Sequence, residues 1–155
     1  MTFSVHLQFG DARWRKVRGL AARLDIAAGR ALARGKAPAG SALTVLLSDD
    51  AQLKSLNRDF RGKNKPTNVL SFPAPANADG YLGDIALAYE VTREEAREGN
   101  KRLADHATHL VVHGVLHLLG FDHVTGSQAR KMEALETRIL AELGIADPYA
   151  SEAVR

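Results

Sequence analysis

The segment His113-Gly114-Val115-Leu116-His117-Leu118-Leu119-Gly120-Phe121-Asp122-His123 contains three histidines in a mostly apolar stretch. Residues four apart on an α-helix lie one turn apart on the same face, with Cβ atoms roughly 5–6 Å from each other. His113 and His117 can therefore bind one ion. Gly120 predicts the end of the helix, because glycine adopts the left-handed cap conformation without penalty, and the chain can then return His123 to the same ion. Three histidines leave a fourth tetrahedral position open, as catalytic zinc sites require, so the segment predicts a metal-dependent hydrolase.

The same spacing occurs in the metzincin peptidases, whose pattern is H-E-x-x-H-x-x-G-x-x-H. Those enzymes carry a glutamate as general base after the first histidine, and this chain has Gly114 there. A single histidine on an apolar helix is usually a hydrogen-bonded core residue, but three in this register favour metal ligands. The pattern therefore supports the metal and disfavours the peptidase.

Further polar residues lie close to this segment in the helical register. His109 and His106 fall on the same stripe as His113. His109 can contact substrate, shuttle a proton or orient a ligand, with a structural hydrogen bond as the alternative, and we group it with the substrate-binding residues. Asp84 and Asp122 are candidates for the carboxylate that usually accepts the second N–H of a ligating histidine, or either can cap a turn.

Length and composition limit the class of protein. A chain of 155 residues suits one domain with a real hydrophobic core, so we expect residues 1–155 to form a single metal-dependent hydrolase domain. The chain has no cysteine, which leaves histidine and carboxylate as metal ligands. The N-terminal residues lack a signal-peptide pattern and no apolar run reaches membrane length, so a cytoplasmic protein without membrane contact is expected.

Charge is distributed unevenly along the chain. Residues 1–65 hold 13 Lys/Arg against 5 Asp/Glu, a balance of +8, and the remainder holds 8 against 13, a balance of −5. A basic half suggests an anionic partner, with RNA the leading candidate, although a solvated helix surface explains the charge equally well.

Hydrophobic periodicity predicts alternating strands and helices. Strands are expected at residues 3–9, 43–47, 67–73 and 81–89. A first helix is expected from Asp11 through Leu24, with 26–33 continuing it or forming a second helix, and the next runs from Asp49 or Asp50 through Phe60. A capping box of Thr92 and Glu95 is expected to begin a helix through Arg97. The last two helices are expected across 103–119 and from Thr125 or Ser127 to Gly144. Residues 145–155 are expected to be a frayed tail. This order predicts an α+β domain with a small mixed β-sheet packed with helices around a central histidine-bearing helix.

Beyond the histidine segment, Arg61, residues 67–73, Leu56-Asn57-Arg58 and Gly83-Asp84-Ile85 resemble the YbeY family of bacterial metallo-endoribonucleases. The resemblance covers roughly residues 45–125, whereas the first 40 residues match only loosely. It implies a metal site similar to that of zincins, with His113, His117 and His123 holding one zinc ion per chain. It also implies a functional arginine at Arg61 and a part in ribosomal RNA maturation, at the 3′ end of the small-subunit RNA, and in ribosome quality control. Asn68 departs from the usual aspartate, which puts in doubt any role there that needs a negative charge.

The expected chemistry is cleavage of single-stranded RNA. Attack on a phosphodiester builds negative charge on phosphoryl oxygens, and a guanidinium offers them bidentate contact. Arg61 is the candidate catalytic residue for that role, with Lys63 and Lys65 guiding the RNA backbone. The alternatives are a zinc metallopeptidase or other metal-dependent hydrolase, and a ribosome-assembly factor whose metal is structural.

Overall fold

Four strands and five α-helices form an α+β domain in the part of the chain that the computed structural model describes, residues 2–61 and 67–149 without the side chains of Phe60 and Arg61. In chain order these elements are β1 (Ser4–Phe9), α1 (Leu20–Arg34), β2 (Ala42–Ser48), α2 (Asp50–Arg61), β3 (Val69–Pro73), β4 (Tyr81–Ala88), α3 (Tyr89–Glu98), α4 (Leu103–Leu118) and α5 (Gly126–Glu142). The predicted fold class is confirmed.

The sheet is mixed, with strand order β1-β2-β4-β3. The first three strands in this order are parallel, and β3 pairs antiparallel with β4 at the edge. Gly83 lets β3 and β4 approach: its φ is +142°, and a β-carbon there would collide with the Phe72 carbonyl oxygen. The arrangement places β3 alongside α4, where the histidines lie.

Helix α4 occupies the centre of the core. Val111, Val115 and Leu116 are fully buried and pack in one cluster with Ile85 of β4 and the apolar face of α1. Burying a Val or Leu side chain contributes roughly 1.5–3 kcal/mol, so these contacts hold α4 firmly against the sheet. A rigid helix of this kind is what a metal site needs from its supporting element.

The helix predicted after Asp11 is divided into two pieces, contrary to expectation. Asp11 does cap a turn, because its Oδ1 accepts a hydrogen bond from the Arg13 N–H at 2.9 Å, but only a 3₁₀ turn follows, at Ala12–Lys16. Gly19 then has a φ of +69° and α1 begins at Leu20. Residues 26–33 continue α1 as one of the two expected arrangements.

The capping box predicted at Thr92 and Glu95 is wrong. Helix α3 already begins at Tyr89, directly after β4, so that Thr92 is buried inside it. Its first turn is capped from α2 instead: Asp50 Oδ1 accepts from the Val91 N–H at 3.0 Å. The two helix starts are thus tied together by a tertiary contact that a local sequence pattern does not contain.

Helix α5 begins as predicted and leads into an ordered segment. Thr125 forms a capping box with Gln128, and Gly144 follows the helix with a φ of +79°. Residues 145–149 belong to the predicted frayed tail, yet Ile145 packs on the core and the Tyr149 hydroxyl donates to Glu136 at 3.0 Å. Among the described residues no helix is long and apolar enough to cross a membrane.

Candidate metal centre

Two of the three candidate ligands project from a half-buried stripe of α4. His113 and His117 are one turn apart, and their ring centroids are separated by 4.7 Å. The His113 side chain is 25% exposed, whereas the adjacent Val112 and Gly114 are buried. The apolar run fixes the orientation of the helix, and this orientation brings both imidazoles to the surface.

The turn after α4 returns the chain toward these rings. Gly120 has a φ of +97°, its N–H donates to the His117 carbonyl at 3.0 Å, and the Phe121 N–H donates to the Leu116 carbonyl at 3.0 Å. This is the Schellman arrangement, which favours glycine at the left-handed position. The predicted role of Gly120 is confirmed, and the turn leaves His123 beside the helix end.

The three histidines form one cluster in an open cleft. His123 has its ring centroid 5.0 Å from that of His117 and 5.8 Å from that of His113. One candidate ligand atom from each lies within 4.8 Å of the others. The cleft has a volume of about 550 Å³ and is lined by the three histidines and by Thr67, Asn68, Val69, Ser71, Pro73, Asp122 and Val124.

The cluster fits a divalent metal in its donor chemistry. Bonds of about 2.0–2.1 Å place tetrahedral zinc ligands roughly 3.4 Å apart, so small side-chain rotations bring the three nitrogens to one ion. Burial lowers the pKa of His117 below its usual value, and the neighbouring His113 and His123 lower it further. A neutral imidazole keeps the lone pair that metal binding requires.

A larger cavity of about 720 Å³ shares Ser71 and Pro73 with the histidine cleft, and Asp84 lines this larger cavity only. There Asp84 accepts a hydrogen bond from the Tyr81 hydroxyl, and of the two candidate supports it is the one that does not line the histidine cleft. Asp122 lines the histidine cleft, and its Oδ1 accepts from the His123 N–H at 2.7 Å. It stabilises the turn that carries His123. We place the site in the smaller cleft because that cleft holds the clustered imidazoles.

Gly114 faces the sheet and not the cleft. A β-carbon there would lie 2.9 Å from Cγ2 of Ile85, which is fully buried. A glutamate at this position, as metzincins have, would have to enter the core. The departure from the peptidase pattern therefore follows from the packing of α4 on β4.

The carboxylate that contacts a candidate ligand is Glu136 of α5, which the sequence interpretation missed. Its Oε1 lies 3.2 Å from Nδ1 of His113, and its Oε2 lies 2.7 Å from Nε2 of His109. Burial alone would raise the pKa of Glu136, but the hydrogen bonds from both histidines outweigh burial and hold the pKa at about 2. The residue is fully buried as an anion. Its position in the apolar stripe of α5, with Met132, Ile139 and Leu140, was a signal that the sequence did contain.

A second carboxylate lies on the other side of the histidine stripe. Glu95 Oε1 accepts from the Asn68 amide at 2.9 Å and contacts His106 Nε2 at 2.9 Å. The donor at position 68 suits this carboxylate, whereas an aspartate there would bring two negative charges together. The structure thus gives His106 a structural partner and Asn68 a role that does not need a negative charge.

The remaining predicted site residues are described in part. Arg61 is the last residue of α2, and its side chain lies outside the described residues, as do Lys63 and Lys65 entirely. The described chain resumes at Thr67, which lines the cleft, so Lys65 is two residues from the site in sequence.

Part of the basic first half is neutralised within the molecule. Several arginines of α1 and of the preceding turn form ion pairs with acidic residues from the second half of the sequence: Arg13 with Glu90, Arg23 with Asp105, and Arg30 and Arg34 with Glu142. These four of the thirteen Lys/Arg of residues 1–65 make internal contacts, so the charge balance by itself is weaker support for RNA binding than it is in the sequence alone.

Known proteins are similar to this chain in sequence and in fold. The family profile described as Endoribonuclease YbeY matches residues 17–144. Endoribonuclease YbeY of Chelativorans sp. (strain BNC1) is 51% identical over 139 residues, which cover 86% of this chain and 83% of that protein. Endoribonuclease YbeY of Rhodopseudomonas palustris (strain BisA53) is 54% identical over 121 residues, which cover 74% of this chain and 70% of that protein.

A solved structure is similar in fold. The solution structure of TM1509 from Thermotoga maritima, 24% identical, superposes with a TM-score of 0.59 and covers 93% of this chain and 97% of that one, which supports the fold. The chain belongs to the endoribonuclease YbeY family, as the motif resemblance predicted.

Proposed function

We propose that this protein is a zinc-dependent endoribonuclease that cleaves single-stranded RNA. Its substrate is ribosomal RNA, cleaved during maturation of the 3′ end of the small-subunit RNA and in ribosome quality control, and it acts in the cytoplasm. The observation that carries the proposal is the cluster of three imidazoles in an open cleft, in a chain whose relatives are named endoribonucleases.

Each proposed residue has a separate role. His113, His117 and His123 would hold one zinc ion, which would supply Lewis-acid chemistry for the phosphodiester. Arg61 neutralises charge that develops on the phosphoryl oxygens through its planar guanidinium. Lys63 and Lys65, in the segment that leads to the cleft at Thr67, contact the RNA backbone.

The peptidase alternative is disfavoured by the packing of α4. A peptidase of the metzincin type needs a glutamate where Gly114 faces Ile85, and no side chain fits there without displacing the core. A purely structural metal is disfavoured because the histidine cluster opens into a cleft of about 550 Å³, whereas structural zinc sites are closed by four protein ligands.

The test compares labelled single-stranded RNA, duplex RNA and casein as substrates of freshly purified protein. We expect cleavage of the single strand, poor cleavage of the duplex because a paired backbone bends less freely into a recessed site, and no cleavage of casein. Chelator should abolish the cleavage and added zinc should restore it.

His113→Ala distinguishes this activity from that of a contaminating nuclease. The matched control is His6→Ala, which removes an exposed histidine of β1 outside the cleft. Casein cleavage that requires His113, with RNA left intact, would reverse the assignment.

A further inference from the structure

Glu136 is a buried carboxylate with both oxygens engaged. The residue is 0% exposed. Its Oε1 accepts from Nδ1 of His113 at 3.2 Å, and its Oε2 accepts from Nε2 of His109 at 2.7 Å and from the Tyr149 hydroxyl at 3.0 Å. The contacts come from α4 and from the segment after α5, so the carboxylate joins three parts of the chain.

Stability alone does not account for an acidic residue at this position. Burying a carboxylate costs several kcal/mol before its partners compensate, and replacing a whole buried charged cluster with well-packed hydrophobic residues is often neutral or stabilising. The neighbouring stripe positions on α5 are the apolar Met132, Ile139 and Leu140. A leucine at position 136 would continue this stripe, so the charge has to serve something other than packing.

The contact with Glu136 engages one of the two ring nitrogens of His113. Nδ1 faces the carboxylate, 3.2 Å from Oε1, and a carboxylate oxygen accepts hydrogen bonds. Because Nδ1 is engaged in this way, Nε2 is the nitrogen of His113 that we assign to the cluster with His117 and His123. A ligating histidine that donates its other N–H to a carboxylate is more basic and keeps its ring orientation.

His109 is held on the same carboxylate. Its Nε2 donates to Glu136, and its Nδ1 is buried with no hydrogen-bond partner among the described residues. Its side chain is only 14% exposed. The ring is therefore placed to hold Glu136 and not to reach into the cleft, whose lining includes His113 but not His109.

We propose that Glu136 is a positioning residue of the metal centre, which directs Nε2 of His113 to the ion while His109 and Tyr149 hold its other oxygen. The inference rests on the proposed metal ligands but not on the proposed RNA substrate. It also gives His109 an orienting role in place of substrate binding, and it makes the segment ending at Tyr149 part of the support of the site.

The experiment measures the zinc dissociation constant by competition with a chromophoric chelator. Glu136→Gln keeps the shape but leaves a single accepting oxygen, so that either His113 or the pair His109 and Tyr149 faces amide hydrogens in place of an acceptor. Removing the carboxylate partner of a ligating histidine typically weakens metal affinity by about 10–100-fold, and we expect this loss in Glu136→Gln and Glu136→Leu. Tyr149→Phe should lose less, because His109 still holds the same oxygen. The matched control is Glu142→Gln, the same change at an exposed ion-paired residue of α5, and it should bind zinc like the wild type.

Unfolding in urea with chelator present separates positioning from folding. Glu136→Leu leaves His109 and Tyr149 without their acceptor, so its metal-free form should be less stable than the metal-free wild type. Zinc affinity is therefore compared where urea unfolding shows each metal-free variant to be folded, and the inference predicts reduced affinity under those conditions. Wild-type zinc affinity in both folded Glu136 variants would overturn it. Failure of RNA cleavage with this affinity pattern intact would refute the proposed function alone.

His109→Gln tests the orienting role directly. If His109 acts through Glu136, zinc affinity should fall several-fold and the KM for RNA, measured with saturating zinc, should stay unchanged. A raised KM with unaltered zinc affinity would instead make His109 a substrate-binding residue and overturn this part of the inference.

Discussion

Replacing Gly114 with alanine tests whether close packing against the sheet explains the missing glutamate. A β-carbon at position 114 would lie 2.9 Å from Cγ2 and 3.1 Å from Cδ1 of Ile85. These distances are shorter than van der Waals contact, and Ile85 is fully buried. Its β-branched side chain has few alternative rotamers. The added methyl group must therefore displace either α4 or β4.

Two opposing effects set the expected size of the change. Alanine in place of glycine inside a helix gains roughly 0.5–1 kcal/mol, whereas overpacking a core costs about 1–3 kcal/mol. We therefore expect Gly114→Ala to lower the free energy of unfolding by roughly 0.5–2 kcal/mol. In a domain of this size each kcal/mol corresponds to about 2–4 °C in Tm.

The assay is urea unfolding in the presence of chelator, so that metal binding does not contribute. Gly29→Ala is the matched control: Gly29 lies inside α1 and its β-carbon would have no neighbour within 4 Å. It should raise stability by roughly 0.5–1 kcal/mol. In an Ile85→Ala background the contact is absent, and Gly114→Ala should then be stabilising too. If Gly114→Ala stabilises the wild-type chain as Gly29→Ala does, the packing argument is refuted.

Three further predictions concern the metal and the RNA. Purified protein should contain one zinc ion per chain by elemental analysis. His117→Ala should lose this zinc and His6→Ala should keep it. Equal zinc content in all three proteins would refute the site. Arg61→Ala should keep the metal and the fold but cleave RNA about 10²–10³-fold more slowly. Arg61→Lys should restore little activity, because an ammonium lacks the planar bidentate geometry of a guanidinium. A wild-type cleavage rate in Arg61→Ala would make the arginine structural. Affinity for single-stranded RNA should fall with salt at a logarithmic slope of about −0.7 per phosphate contact, and Lys63→Ala and Lys65→Ala should each make the slope shallower, whereas an unchanged slope would exclude them from the RNA contacts.

The sequence predicts those features of the site that depend on local geometry. The spacing of His113 and His117 follows from helical periodicity, and the turn at Gly120 follows from the conformational freedom of glycine. Thr125 as the start of α5 follows in the same way, because Gln128 completes the box within the same turn.

Features that depend on tertiary contacts could not be predicted in this way. Thr92 and Glu95 match a capping-box pattern, but α3 begins earlier because Asp50 of another helix caps it, and Glu95 instead contacts Asn68 and His106. Glu136 is far from His113 in sequence and meets it only when α5 packs on α4. In each case the hydrogen-bond partner of a polar group comes from another helix or strand, so the residues next to that group in the sequence do not predict the partner.

The strand order has a consequence for the kinetics of folding. Ser4 pairs with Ala42, and Ala42 pairs with Tyr81. Two of the three strand pairings therefore join residues that are far apart in the sequence. Such non-local pairings slow folding, and mixed α/β domains fold at rates between those of helical bundles and those of all-β domains. Helix α4 packs on β3 and β4, and the candidate ligands come together only when its C-terminal turn is in place. We therefore expect an ion to bind late, after the sheet has formed, and to slow unfolding without accelerating folding, unlike the ion of a zinc finger, whose binding is required for folding itself.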